Sequence, residues 1–148
     1  KASKILKSDW KIDSLIWSVT SYSELHKDAE DVNRWNNLNP NKKNKKSYLD
    51  KNILTENGPV IAISDYVKLV AEQIAPYINC PFLSLGTDGF GRSETREKLR
   101  DFFEVSANYI VLSTLNLLVK ENILSETVLD KAIKKYKIDI SKPNPKSI

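Results

Sequence analysis

Apolar residues recur at helical spacing near both ends of the chain and gather in short unbroken runs between them, a contrast that predicts helices alternating with strands. The opening KASKILKSDW sets Ala2, Ile5 and Leu6 on one side of a helix. DSLIWSVTS follows as a short β-rich run. Ser23 to Leu38 reads as a polar helix turning Leu25, Val32 and Trp35 toward a core, with Ser23 and Glu24 as its start signal. PNKKNKK, Pro40 to Lys46, buries nothing and predicts an exposed loop of solvated lysines. A short helix over Tyr48–Leu54 precedes GPVIAIS, a strand bounded by a breaker pair and by Asp65 as the cap of a helix over Tyr66–Ile74. Pro76 and Pro81 flank the connection into the strand FLSLG, and a glycine-rich turn opens a helix over Glu94–Phe103. An apolar helix over Ala107–Val119 comes next. Ser125 then caps a last helix that carries Val128, Leu129, Ala132, Ile133 and Tyr136 at helical spacing.

Strands that are continuous apolar runs, alternating with helices, predict a mostly parallel sheet covered on both faces. The fold class expected is α/β, with three αβα layers. In 148 residues with 41% hydrophobic content there is room for one domain with one core, spanning residues 1–148. Within it, residues 1–10 are the tail of a helix whose preceding strand is missing, 40–47 the exposed lysine-rich loop and 137–148 the C-terminal tail.

Charge and cysteine content narrow the classes. The balance of 23 basic and 19 acidic residues gives +4, but the surplus sits in Lys42, Lys43, Lys45 and Lys46 and in the tail, which is no nucleic-acid stripe. A single cysteine, Cys80, forms no internal disulfide, so a reducing compartment, the cytoplasm, is the expected setting. No stretch reaches the roughly 20 apolar residues of a membrane span, and no signal-peptide order appears. The chain opens inside a helical pattern and without Met, which predicts a piece of something larger.

Candidate chemistry concentrates in LSLGTDGFGRSETREKL, where Gly86, Gly89 and Gly91 fall within six residues. A helix N-terminus after such a turn offers free N–H groups to an anion, with Arg92 beside it. Against that, neither G-x-G-x-x-G nor G-K-[ST] is present, and Asp88 stands where a phosphate would be repelled. The alternative is a tight turn carrying Asp88, Arg92 and Arg96 to fixed places. Asp88 then accepts from N–H groups at the start of the following helix, and one of the arginines enters a buried interdomain or intersubunit ion pair. At least one of Gly89 and Gly91 is expected at positive φ. His26 is the only histidine, so no histidine metal cluster or serine triad forms within this chain, and a packing or surface role is expected of it. Cys80, beside Pro81, is expected to be an inert thiol. Asp28, Glu30 and Asp31 read as a solvated helix face. Trp17, Tyr22 and Trp35 read as core or interface aromatics.

GPVIAISDYVKLVAEQIAPYI followed by LGTDGFGRSETREKLRDFFEVSANYIVLSTLNLLV resembles the C-terminal domain of the homodimeric bacterial pyruvate dehydrogenase decarboxylating components. The earlier SVTSYSELHKDAEDVNRWNNLNP and the ending IDISKPNP resemble the same family in the same order, so the likeness covers nearly the whole chain. It is carried most specifically by Thr87 to Ser93, with Arg96 and Glu104 beyond. The resemblance implies a three-domain oxidoreductase of the transketolase type, using thiamine diphosphate and magnesium. Such an enzyme decarboxylates pyruvate and passes the acetyl unit to a lipoyl group on the dihydrolipoyl acetyltransferase core. It further implies that the cofactor, the metal and the catalytic histidines belong to two other domains, so that no catalytic, cofactor or metal residue lies here. This third domain, flavodoxin-like, is implied to serve dimer contacts; the signature residues Thr87, Asp88, Gly89, Gly91, Arg92 and Arg96 are candidates for the interface. The implied partners are the rest of the chain, a homodimer partner and the acetyltransferase core, with no nucleic acid and no membrane.

In that family the domain opens with a strand before the first helix, and flavodoxin-like sheets place it centrally. LIWSVT and VIAIS would then flank a missing strand. The expectation is that a strand from elsewhere fills the gap, or that the sheet collapses. Two other readings stay open: an anion- or nucleotide-binding module built on the Gly86–Gly91 turn, and a docking domain whose lysines meet an acidic surface.

Overall fold

The computed structural model describes all 148 residues. Six α-helices and two strands follow in the order α1 (Ala2–Trp10), α2 (Tyr22–Leu38), β1 (Val60–Ile63), α3 (Leu69–Glu72), β2 (Phe82–Leu85), α4 (Arg96–Phe102), α5 (Ala107–Lys120) and α6 (Thr127–Tyr136). A π-helical turn over Leu49–Ile53 and 3-10 turns over Ala75–Tyr77 and Pro145–Ser147 complete it.

β1 and β2 pair in parallel, with Val60 opposite Phe82 and Ile63 opposite Leu85, through a connection containing α3. The parallel α/β class expected from the apolar runs is what forms. Ser64 N–H closes the ladder on Leu85 O at 2.9 Å.

Two small hydrophobic clusters form where a single core was expected. Leu6, Val111, Leu115 and Ala132 join α1, α5 and α6. Ala29, Leu49 and Ile74 join α2, the π turn and the end of the α3 region, with Phe82 of β2 packed against them. Since α5 also contacts β1, the sheet touches helices of both clusters.

The expected strand at DSLIWSVTS does not form. Asp13 to Val19 adopts no regular structure, and its backbone exchanges no backbone hydrogen bond with any residue. Leu15, Ile16 and Trp17 are 62%, 78% and 47% exposed. The physical reason is pairing: a run of β-formers becomes a strand only when a neighbouring backbone takes up its N–H and C=O groups, and β1 pairs with β2 alone.

Caps account for smaller shifts. Ser21, not Ser23, starts α2, its hydroxyl accepting from Glu24 N–H at 3.2 Å. The helix expected over Tyr66–Ile74 shrinks to α3, whose start at Lys68 has no side-chain cap of its own. Thr95 caps α4 by accepting from Lys98 N–H. Residues Arg96–Lys120 are long and apolar enough by composition to cross a membrane. The run is nonetheless broken at Glu104, which takes a left-handed φ of 60°, so α5 alone is 14 residues long.

Candidate functional site

The glycine turn leaves the carboxyl end of β2 and is held by the loop that leaves the carboxyl end of β1. Thr87 N–H donates to Tyr66 O at 2.9 Å, and Thr87 Oγ1 donates to Asp65 O at 2.7 Å. Asp88 Oδ1 accepts from Lys68 N–H at 2.9 Å. The carboxylate therefore caps α3, across the sheet, and not the helix that follows it in sequence. The start of α4 is already served by Thr95, so Asp88 is free for the orphan amide that α3 leaves.

Two of the turn's three glycines are explained by what lies beside them. A Cβ on Gly86 would stand 2.6 Å from Tyr66 O and 2.8 Å from Lys68 N, so only glycine lets the two loops touch. Gly89 has φ 106°, as expected for one of the pair, and a Cβ there would meet Pro145 O at 2.9 Å. Around Gly91 there is open space. The close approaches are made by the chain's own backbone.

Beyond the turn, Phe90 is 83% exposed. The Arg92 guanidinium lies 4.4 Å from the centroid of the Phe102 ring. Arg92 precedes α4 while Arg96 is its first residue, so the two do not share a helical face. Neither is among the ion pairs within the chain, and both are exposed.

The remaining candidates are placed as follows. His26 is half-buried, with Nδ1 2.9 Å from Gln73 O and its ring tilted on Tyr77 at 5.6 Å, which is a packing role. Cys80 is half-buried, and burial pushes its thiol pKa up, away from the nucleophilic thiolate. Asp28 accepts from Tyr48 N–H at 2.6 Å, tying α2 to the π turn, while Glu30 and Asp31 remain exposed. Lys45 of the loop is not simply solvated: its ammonium sits 4.2 Å over the Trp35 ring, and its backbone is bonded twice to the Asn36 amide. A cavity of about 190 Å³ lies beside this pair. Part of its polar lining is committed within the chain, Asn36 to Lys45 and Asp50 to Ser47.

One network had no local sequence signal, because its members are more than 120 residues apart. Trp10 Nε1 donates to Tyr136 Oη at 2.7 Å, Tyr136 Oη donates to Asp9 Oδ2 at 2.9 Å, and Lys135 Nζ lies 2.9 Å from the same oxygen. The Lys135 ammonium, with Ser8 and Tyr136 hydroxyls, holds the Asp9 carboxyl down at about 2.

Thiamine diphosphate with a divalent cation requires oxygen ligands and a cradle of free N–H groups. The only turn of that kind here faces the Asp88 carboxylate and the Pro145 carbonyl, and no three His, Cys, Asp or Glu side chains converge anywhere. The residues of this chain do not fit that group.

Comparison with known proteins supplies the remaining findings. Residues 1–106 match the family described as the transketolase-like TK C-terminal domain. A protein of Buchnera aphidicola from Acyrthosiphon pisum, named pyruvate dehydrogenase E1 component, is 50% identical over 147 residues. Proteins of the same name from Cupriavidus necator and Escherichia coli K12 are 44% and 41% identical over 147 residues. In each case 99% of this chain is covered but only 16% of the relative's own length.

Proposed function

The chain belongs to the family of transketolase-like C-terminal domains, and on that premise we propose that it is the C-terminal domain of a pyruvate dehydrogenase E1 component. The whole enzyme would decarboxylate pyruvate with thiamine diphosphate and magnesium and acetylate a lipoyl group on the dihydrolipoyl acetyltransferase core. This domain contributes surface to that enzyme and no reacting group. The observation that carries the reading is the continuous match along 99% of the chain to relatives of which it spans 16%.

The surface supports an architectural role. The chain exposes 10358 Å², where a compact monomer of 16.9 kDa exposes roughly 7,700 Å². The surplus of about 2,700 Å² is surface that this chain leaves uncovered. Part of it is the unbonded apolar stretch Leu15–Trp17, which together with the unpaired edge of β1 would accept a strand from the remainder of a longer polypeptide or from a neighbouring copy. Another part is the turn, where Thr87, Asp88 and Gly89 set the backbone and which, with Gly91, presents Phe90, Arg92 and Arg96. Arg96, exposed and without a carboxylate in its own chain, would pair across the contact with an acidic residue of an adjoining domain or subunit.

Purified chain mixed with thiamine diphosphate, magnesium and pyruvate tests the catalytic side. No carbon dioxide release above the protein-free rate is expected. Saturable turnover would overturn the reading.

A further inference from the structure

We propose that residues Asp139–Ile148 form a detachable latch that fixes the glycine turn after β2 through two anchors, Pro145 and Lys142. The segment exchanges no backbone hydrogen bond with the rest of the chain; the one such bond it makes is internal, Ser147 N–H to Asn144 O at 2.9 Å. Its shape is set locally, by Asp139 Oδ1 accepting from Ser141 N–H and Oγ and by Asn144 Oδ1 accepting from Lys146 N–H. What ties it down is side-chain chemistry at two points.

Pro145 is buried, and its carbonyl lies against Gly89 so closely that a methyl group there would approach it to 2.9 Å. Lys142 is the second anchor, its side chain 16% exposed. Its ammonium donates to Asp101 O at the end of α4 at 2.6 Å, stands 3.8 Å from Glu104 Oε1, and lies over the Tyr109 ring at 5.0 Å and the Phe102 ring at 5.6 Å. Phe102 also carries Arg92, so one ring links the latch to the far end of the turn.

The turn is thus held from two sides by different means. Thr87 and Asp88 bind it to the loop after β1, while Gly89 lies against Pro145 of the tail and Arg92 lies over Phe102, the ring that Lys142 also approaches. A segment fastened by two side-chain anchors and no ladder opens locally at far lower cost than the sheet beneath it. The consequence is regulatory: whatever displaces residues 139–148 changes the shape of the surface that presents Phe90 and Arg92. The latch rests on the interface reading of the turn, but its exchange and cleavage readouts are taken within the chain alone, so the latch can fail while the proposed function holds, and the reverse.

The test compares the 148-residue chain, its Lys142→Gln variant, and a chain ending at Ile138 with and without a synthetic peptide of residues 139–148. Amide hydrogen exchange is read at Lys68 and Thr87, and tryptic cleavage after Arg92. Loss of the charged anchor is expected to raise both rates about tenfold while Val111 and Leu115 in α5 exchange as before. The peptide is expected to restore the slow rates in the shortened chain. Unchanged rates in the Lys142→Gln variant, or acceleration that runs equally through α5, would overturn the latch. Failure of the peptide to slow a folded shortened chain would do the same.

Discussion

The carboxylate of Asp88 sits 2.9 Å from the backbone nitrogen of Lys68, so a residue in the turn after β2 caps the helix that follows β1. The bond spans the ends of two paired strands and fixes the two loops as one unit. Replacing Asp88 by Ala leaves a half-buried amide without its acceptor, at an expected cost of about 1–2 kcal/mol. Urea unfolding of Asp88→Ala against the parent chain measures it, with Asp88→Asn losing less because the amide oxygen still accepts.

The last two glycines of the turn are expected to respond differently. Gly89→Ala places a side chain at φ 106° and against Pro145 O, and is expected to destabilise by roughly 1–3 kcal/mol. Gly91 has open space around it and no positive φ, so Gly91→Ala is expected to stay within about 0.5 kcal/mol of the parent. Thermal melts of the two variants, recorded side by side, distinguish a turn that needs one glycine from one that needs both.

Asp9 gives the fold a pH dependence whose sign follows from its lowered pKa of about 2 against an ordinary 3.8. The ionised form is the one bound by Lys135, Ser8 and Tyr136. The stability it supplies is complete above pH ~4 and is lost as pH falls through about 2. Asp9→Asn is expected to flatten the stability curve in that window and to leave the slope near neutrality alone. A curve that kept its full acid limb in the variant would assign the limb to other carboxylates.

Ile16 and Trp17 are exposed apolar residues on a backbone that bonds to nothing, the circumstance in which chains associate. Purified chain is expected to self-associate with rising concentration. Ile16→Asp is expected to reduce that association without shifting the melting temperature, since the side chain is 78% exposed. Sedimentation velocity over a concentration series reads both the parent and the variant.

How much of this was legible in the sequence depended on whether a feature was local. VIAI and FLSL formed a parallel pair because their apolar runs and flanking breakers are contained within a few residues. The apolar stripes of α5 and α6 likewise put Leu115 and Ala132 into one cluster. LIWSVT carried the same local signal and failed, because strand formation is settled by a partner that the run itself does not encode. In the candidate site the glycines and Asp88 stood out, but their neighbours did not. That Asp88 serves Lys68, that Gly89 faces Pro145, and that Arg92 and Lys142 share the Phe102 ring are relationships between segments 20 to 56 residues apart or bridged through a third. No periodicity or capping rule reaches that far.

The central claim is that this segment is an architectural part of a pyruvate dehydrogenase E1 component, and a chain-exchange measurement on the Escherichia coli relative tests it most directly. Three forms are compared by sedimentation and by pyruvate dehydrogenase activity: the relative intact, the relative without its matching 147 residues, and the relative with those residues replaced by this chain. The deletion is expected to change the assembly state and abolish activity, and the replacement to restore both. A deleted form that kept its assembly state and full activity would contradict the account, as would a replacement that folds yet restores neither.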